Sequence, residues 1–94
     1  MNIKPMRTIV YLPLMLKDGQ TLKFVKNKQV GMIDFVDVKV GDSFTIDKKP
    51  NFNVPVEKWN KHKVISVTYS IMDRGNIVEL EPKVFKDEKD LERF

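Results

Sequence analysis

Cysteine is absent from this sequence of 94 residues, and histidine and glycine are scarce. Without cysteine the chain can form no disulfide, no thiolate metal site and no cysteine nucleophile. The single histidine, His62, falls short of the three or four protein ligands that a zinc site needs. We therefore expect neither a metal nor a cofactor.

The four glycines are all accounted for by local structure. Gly19 and Gly75 lie in hairpin patterns, Gly41 lies at a corner, and Gly31 lies at the start of a strand pattern. None is left for a glycine-rich loop around a phosphate. Serine and threonine occur in strand patterns without an evident activating base. The sequence therefore favours a protein that is not an enzyme.

Long hydrophobic runs are also missing. The longest apolar run, residues 9–16, is too short to span a bilayer and contains Pro13. It is followed by Lys17, Asp18 and Gly19 rather than by a small-residue cleavage site, which disfavours a signal peptide. We expect a cytoplasmic protein.

The composition is that of a folded protein. Apolar residues make up 41% of the chain and charged residues of both signs 32%, which disfavours wholesale disorder. A chain of this length suffices for one modest core. We expect a single domain over residues 1–94.

Positive charge is in excess and unevenly distributed. The net charge is +4, from 17 basic and 13 acidic residues. Residues 1–63 carry twelve basic and six acidic groups (net +6), whereas residues 79–94 carry four basic and six acidic groups (net −2). This favours an anionic partner, although moderate charge also serves solubility alone. Only three basic residues are arginine, which disfavours bidentate phosphate contacts and suits an AT-rich source such as a low-GC bacterium or its phage.

The first half of the chain predicts a hairpin and two further strands. Residues 8–16 are typical of a buried strand, in which Pro13 indicates an edge position or a bulge. Asp18 and Gly19 predict a two-residue turn that pairs Met15 with Leu22. Residues 30–40 predict another strand, since valines alternate with charged residues. Gly41 and Asp42 predict a corner that starts a short strand over residues 43–47.

The second half predicts one more hairpin and a short helix. Isoleucine, valine and tyrosine alternate with serine and threonine over residues 65–71, and a turn over residues 73–76 pairs Ile71 with Val78 on the inner face. Pro82 ends the second strand. Apolar spacing over residues 83–94 predicts a short C-terminal helix. Together these patterns predict a small antiparallel β-barrel of about six short strands, SH3-like or OB-like.

The long loop over residues 48–63 interrupts the strands and is the predicted binding site. It contains five lysines and one glutamate, a net charge of 5 − 1 = +4, and the only tryptophan and histidine. The candidate binding residues are Lys48, Lys49, Phe52, Lys58, Trp59, Lys61, His62 and Lys63. Lysines that track phosphates and aromatic rings that stack on bases are typical of nucleic-acid binding.

Three interpretations of this loop stay open. It can bind a protein partner with Trp59 as anchor, it can bind a nucleic acid or nucleotide, or its apolar residues can fold back and cap the barrel. Edge strands offer a separate route to a homo-oligomer. We expect a non-enzymatic binding module, such as an accessory or host-interaction protein, with a protein or anionic partner and no membrane association.

Overall fold

The computed structural model describes residues 4–46, 53, 55 and 60–94. These residues form six β-strands and one helix: β1 (Thr8–Asp18), β2 (Thr21–Ile33), β3 (Ser43–Thr45), β4 (Lys61–Ser70), β5 (Gly75–Leu80), β6 (Lys83–Phe85) and α1 (Glu88–Arg93). The prediction of a mainly β protein with a short C-terminal helix is confirmed. The predicted loop over residues 48–63 is too long at its end, because β4 begins at Lys61.

The strands form one mixed sheet. Their order is β2-β1-β5-β4-β3, and β6 pairs with β1 next to β5. β1 runs antiparallel to β2 but parallel to β5 and β6, so the prediction of a purely antiparallel fold is wrong. Among the described residues no ladder joins the end strands β2 and β3, and the sheet is not closed into a barrel.

The core lies on one face of this sheet, beneath α1. Its apolar side chains come from β1, β4, β5, the helix and, for Val38, the segment between β2 and β3. They are buried together: Val10, Leu12, Leu14, Val38, Val64, Val78, Leu80, Leu91. Burying a side chain of this kind stabilises the fold by about 1.5–3 kcal/mol. β1 contributes the most residues because it has neighbours on both sides.

Pro13 lies in the middle of the sheet and not at its edge. β5 pairs with β1 as far as Tyr11, and β6 takes over at Leu14. Pro13 therefore falls at the changeover between two neighbours, where the ladder on that side is interrupted. The two register shifts of the β1–β2 ladder leave the extra residues, Val25 and Val30, in β2. The predicted edge position is therefore wrong, and the bulges lie in the neighbouring strand rather than in β1.

The β1–β2 turn lies one residue later than predicted. Asp18 pairs with Thr21, so the central residues are Gly19 and Gln20, and Met15 pairs with Phe24 rather than with Leu22. Gly19 has a φ of +62° at the first central position, where a type II′ turn places glycine. The backbone requirement of this glycine thus sets the register.

Residues 34–42 form an irregular crossing segment, and the strand predicted over residues 30–40 ends at Ile33. At Phe35 and Val36 its backbone is held by side chains instead of by a neighbouring strand. The Thr8 hydroxyl donates to the Phe35 carbonyl oxygen at 2.6 Å, and the Asn76 amide donates to the Val36 carbonyl oxygen at 3.0 Å. Polar side chains thus replace the strand ladder that the valine alternation suggested.

The corner at Gly41 and Asp42 is confirmed, as is the start of β3 after it. Gly41 has a φ of +99° and its N–H donates to the Val64 carbonyl oxygen at 3.0 Å. The Val64 N–H in turn donates to the Asp42 carbonyl oxygen at 2.7 Å. β3 then pairs antiparallel with the first residues of β4.

The β4–β5 hairpin has a different register from the predicted one. Its loop is residues 71–74, and Val67, not Ile71, pairs with Val78. Ile71 is 78% exposed in this loop. The register also shifts near Ile65, which leaves Ile65 half exposed and turns Val64 into the core. The alternating pattern fitted both registers and therefore could not distinguish them.

Residues 83–94 form a strand followed by a helix, not one helix. Pro82 follows β5 as predicted, and β6 resumes the pairing with β1. Asp87 caps α1, because its carboxylate accepts a hydrogen bond from the Lys89 N–H at 2.9 Å. Leu91 anchors the helix in the core, and Phe94 packs against it from the end of the helix.

Candidate functional site

The structure describes three of the eight predicted binding residues. Lys48, Lys49, Phe52, Lys58 and Trp59 lie outside the described residues, so the structure does not test whether they form a site.

The three described members lie in β4. Lys61 and Lys63 are exposed, while His62, between them, is partly buried and pairs with Phe44 of β3. The imidazole Nδ1 of His62 lies 3.3 Å from the carbonyl oxygen of Glu81. Because neighbouring residues of a strand point to opposite faces, the two lysines share the outer face. They present two cations on that face. In the sequence, these lysines closely follow Trp59.

A surface that the sequence analysis did not identify lies at one end of the sheet. We call it the Met–Arg end. It combines two arginines with five large apolar side chains that are each more than half exposed: Met6, Arg7, Met32, Phe35, Ile71, Met72, Arg74 (the arginines are Arg7 and Arg74). Met72 is 92% exposed, the most of any large apolar residue in the described chain.

Backbone hydrogen bonds bring the start of the chain to the β4–β5 loop. The Met6 N–H donates to the Arg74 carbonyl oxygen at 2.9 Å, and the Asn76 N–H donates to the Arg7 carbonyl oxygen at 2.9 Å. Met6 and Arg7 thus extend the parallel pairing of β1 with β5. Met6 therefore lies beside the loop that carries Ile71 and Met72.

Side-chain contacts add the end of β2 to this surface. The Arg7 guanidinium donates from Nη1 to the Met32 sulfur at 3.8 Å. The fully buried Thr8 holds the Phe35 backbone through its hydroxyl. Met32 itself pairs with Ile9 of β1. Three separate segments of the chain therefore meet at the Met–Arg end.

Arg74 has an unusual backbone conformation. Its φ is +53°, and no other described non-glycine residue has a positive φ. This region favours glycine and asparagine, and costs other residues about 1 kcal/mol or more. Arg74 occupies the last position of the β4–β5 loop, next to Gly75. Its side chain is exposed, so burial does not account for the arginine.

The charge balance at the Met–Arg end is slightly positive. Its residues and their neighbours in the sequence include three basic groups, Lys4, Arg7 and Arg74, and two acidic ones, Asp34 and Asp73. The Asp73 carboxylate accepts a hydrogen bond from the Ser70 hydroxyl at 2.8 Å, so it is turned toward its own loop. The arginines are therefore the more available charges of this surface.

A second feature is the exposed first part of β2, residues 21–29, which we call the β2 arm. It borders a cavity of about 470 Å³ between β2 and α1. The cavity is lined by apolar side chains, by lysines from β2 and by glutamates from α1: Leu16, Lys23, Phe24, Val25, Lys26, Glu88, Leu91, Glu92.

A bulge in β2 aligns the two lysines of this cavity. Lys23 pairs with Leu16, and Lys26 pairs with Leu14 after a register shift that leaves Val25 as the extra residue. Without the bulge, two residues three apart would point to opposite faces of the strand. With it, both lysines face α1.

Within the described residues, no group of three or more histidine, cysteine, aspartate or glutamate residues is arranged to hold a metal ion. A smaller cavity of about 300 Å³ between β2 and β3 is lined mainly by apolar residues such as Val30, Phe44 and Ile46. No helix in the described part of the chain is long and apolar enough to cross a membrane.

Comparisons with protein-family models, with curated proteins and with solved structures found no match for this chain.

Proposed function

We propose that the protein is a non-enzymatic binding module that engages a protein partner through the Met–Arg end. The observation that carries this proposal is the clustering of five mostly exposed, large apolar side chains beside two arginines. Single exposed apolar residues are common, but several gathered at one end of a sheet support an interaction surface.

The residue types at the Met–Arg end support a protein partner. Methionine, arginine and aromatic residues are enriched at protein interfaces, whereas lysine is depleted there. Methionine side chains are flexible and polarisable, so they fit apolar surfaces of varied shape. Arg7 and Arg74 add donors for carboxylates. The partner surface that suits them is apolar, with aspartate or glutamate at its rim.

Arg74 supports the proposal through its backbone. Glycine at this loop position would remove the strain of a positive φ. The arginine makes no described hydrogen bond through its guanidinium, so the fold gains nothing visible from that group. Backbone strain that no structural contact offsets is typical of functional positions.

A peptide selection tests this function. The full chain is immobilised and used to select from a displayed library of random peptides of about twelve residues. We expect the selected peptides to combine large apolar residues with aspartate or glutamate. Synthesised peptides should bind the wild type at least about tenfold more tightly than Met72→Ser, because this substitution removes the most exposed apolar side chain of the surface.

The matched control is Val40→Ser. Val40 is also an exposed apolar residue, at 66%, but it lies by the corner whose hydrogen bonds reach Val64, at the far end of β4. Val40→Ser should bind like the wild type. No enrichment of peptides, or equal loss of affinity in both variants, would refute the proposal. Sedimentation at several concentrations adds one outcome: self-association abolished by Met72→Ser would make a second copy of the chain the partner.

An anionic ligand at residues 48–63 is the second candidate. The observation that favours it is the shared exposed face of Lys61 and Lys63. Titrating the fluorescence of Trp59 with single-stranded DNA, duplex DNA and RNA at two salt concentrations tests it. We expect quenching that weakens with salt and is lost in a Lys61→Glu, Lys63→Glu double variant. Absence of quenching by all three nucleic acids would exclude this candidate.

We also keep the barrel as a proposal in a weaker form, as a sheet that curls without closing. Val30 of β2, Phe44 of β3 and Ile46 just after β3 all line the cavity of about 300 Å³ and pack against the same core. In solution, nuclear Overhauser contacts between the Val30 and Phe44 side chains are expected. Their absence would indicate a flatter sheet, unlike an SH3-like or OB-like barrel.

A further inference from the structure

The β2 arm is an unusually open strand edge. β2 is the longest strand, with 13 residues, and within the described chain its only strand partner is β1. Residues 21–27 are all exposed, including Leu22, Phe24 and Val25. β3, the strand at the other end of the sheet, has only three residues. The arm is therefore the main place where the described sheet could be extended.

We propose that the free edge of the β2 arm binds an extended, acidic segment of a partner protein as an added strand. Unpaired N–H and C=O groups along an edge supply the backbone hydrogen bonds for such addition. This site is separate from the Met–Arg end, which lies at the opposite end of β2. The inference therefore does not depend on the function proposed above.

The charges of the arm select an acidic strand. Lys23 and Lys26 lie within residues 21–29, together with Lys28, whose ammonium already donates to the Phe94 carbonyl oxygen. No acidic residue lies in this range. Directly opposite and diagonal side chains of paired strands interact, so carboxylates on the added strand stabilise the pairing. A second copy of the arm would bring lysines against lysines, because both strands carry positive charge only. Self-pairing is thus disfavoured.

The cavity beside the arm lies on the same face of β2 as Lys23 and Lys26. Its floor contains Leu16 and Leu91, and Phe24 stands at its border. Glu88 and Glu92 line the side formed by α1. These glutamates repel carboxylates from the helix side of the cavity. Acidic side chains of the partner are therefore held at the lysines of β2, and the apolar side chains that alternate with them lie on the opposite face, with Leu22 and Phe24.

Lysines and bulges are also the means by which proteins prevent edge pairing. The β2 arm differs from a protected edge because its apolar side chains stay exposed between the lysines. Leu22 is 52% exposed and Phe24 57%. An edge shaped only to prevent pairing does not need them.

A defined peptide tests the inference on the full chain. The probe is a capped peptide of about nine residues in which glutamate alternates with valine, and the matched control has lysine in place of glutamate. We expect the acidic peptide to bind, with weaker binding at higher salt, and the lysine peptide not to bind. Amide hydrogen exchange should slow at residues 21–29 when the acidic peptide is present.

Two changes separate strand addition from simple charge attraction. Methylating alternate backbone nitrogens of the acidic peptide, on its hydrogen-bonding edge, should weaken binding by about tenfold. Lys26→Glu should weaken it by a similar factor, whereas Lys61→Glu on β4 should leave it unchanged. Met72→Ser should also leave it unchanged, because the Met–Arg end takes no part.

Three results would overturn the inference. Equal affinity for the acidic and lysine peptides would remove the charge selection. Equal affinity for the methylated and unmethylated peptides would show that no strand is added. Exchange protection that appears on β3 or β4 instead of residues 21–29 would place the peptide elsewhere.

Discussion

Gly75 lies directly against the backbone of Arg7. A Cβ atom at Gly75 would be 2.6 Å from the Arg7 carbonyl oxygen and 2.8 Å from its Cγ. This approach lets the Asn76 N–H reach the same carbonyl oxygen at 2.9 Å. The contact joins the start of β1 to the start of β5. It therefore fixes both the parallel pairing and the position of the β4–β5 loop.

Gly75→Ala is expected to destabilise the protein by about 1–3 kcal/mol, because the added methyl group overlaps backbone atoms that cannot move freely. Urea unfolding followed by circular dichroism measures the change. Gly31→Ala is the matched control, since a Cβ at Gly31 meets no atom within 4 Å. That variant should stay within about 0.5 kcal/mol of the wild type. Equal destabilisation in both variants would contradict this role of Gly75.

Thr8→Val should loosen the crossing segment. The Thr8 hydroxyl is fully buried and holds the Phe35 carbonyl oxygen, so valine would leave that oxygen without its partner at a cost of about 1–3 kcal/mol. Faster amide exchange over residues 36–41 is the expected result. Thr68→Val, on the exposed side of β4, is the control and should show no such change. Unchanged exchange in Thr8→Val would mean that other contacts hold the segment.

Leu91→Ala should release α1 from the sheet. Leu91 is the one buried residue of this short helix, and its truncation should cost about 2–5 kcal/mol. Proteolysis should then cleave the chain near residues 86–94 before the rest unfolds. Glu92→Ala, which changes an exposed neighbour in the same helix, should leave cleavage unchanged. A helix that stays protected in Leu91→Ala would show that Phe94 anchors it alone.

The sequence predicts the local elements of this fold better than their pairing. The β1 strand follows from a run of residues typical of a buried strand, and the corner at Gly41 and the stop at Pro82 follow from the backbone limits of glycine and proline. All three are confirmed. Hairpin registers depend on where a glycine is needed. The alternation of β4 fits two registers, and the contact of Gly75 with Arg7, which are far apart in the sequence, selects the observed one.

The candidate surfaces were less accessible to sequence reasoning. Periodicity places Ile71 inside the fold, yet the four-residue loop exposes it together with Met72. The parallel pairing of β1 with β5, which brings Met6 to that loop, leaves no local signal. The sequence does not show the full length of β2, because the last residues of this strand also fit the start of a separate strand. In the sequence, only Arg74, which stands next to Gly75 in the turn, pointed to the Met–Arg end.

Arg74→Gly is the variant that separates fold from function most cleanly. Removing the strain of the positive φ should leave the free energy of unfolding unchanged or raise it by up to about 1 kcal/mol. Arg93→Gly, in the last turn of α1, is the control for loss of an arginine and should lower stability by about 1 kcal/mol. A clear loss of stability in Arg74→Gly would mean that its side chain supports the fold.

The central claim is that the Met–Arg end binds an apolar, acidic protein surface, and calorimetric titration of Arg74→Gly with a selected peptide tests it most directly. The account predicts at least about a tenfold loss of affinity in a variant whose unfolding, measured on the same sample, is no easier than that of the wild type. Undiminished affinity in this intact variant would contradict it.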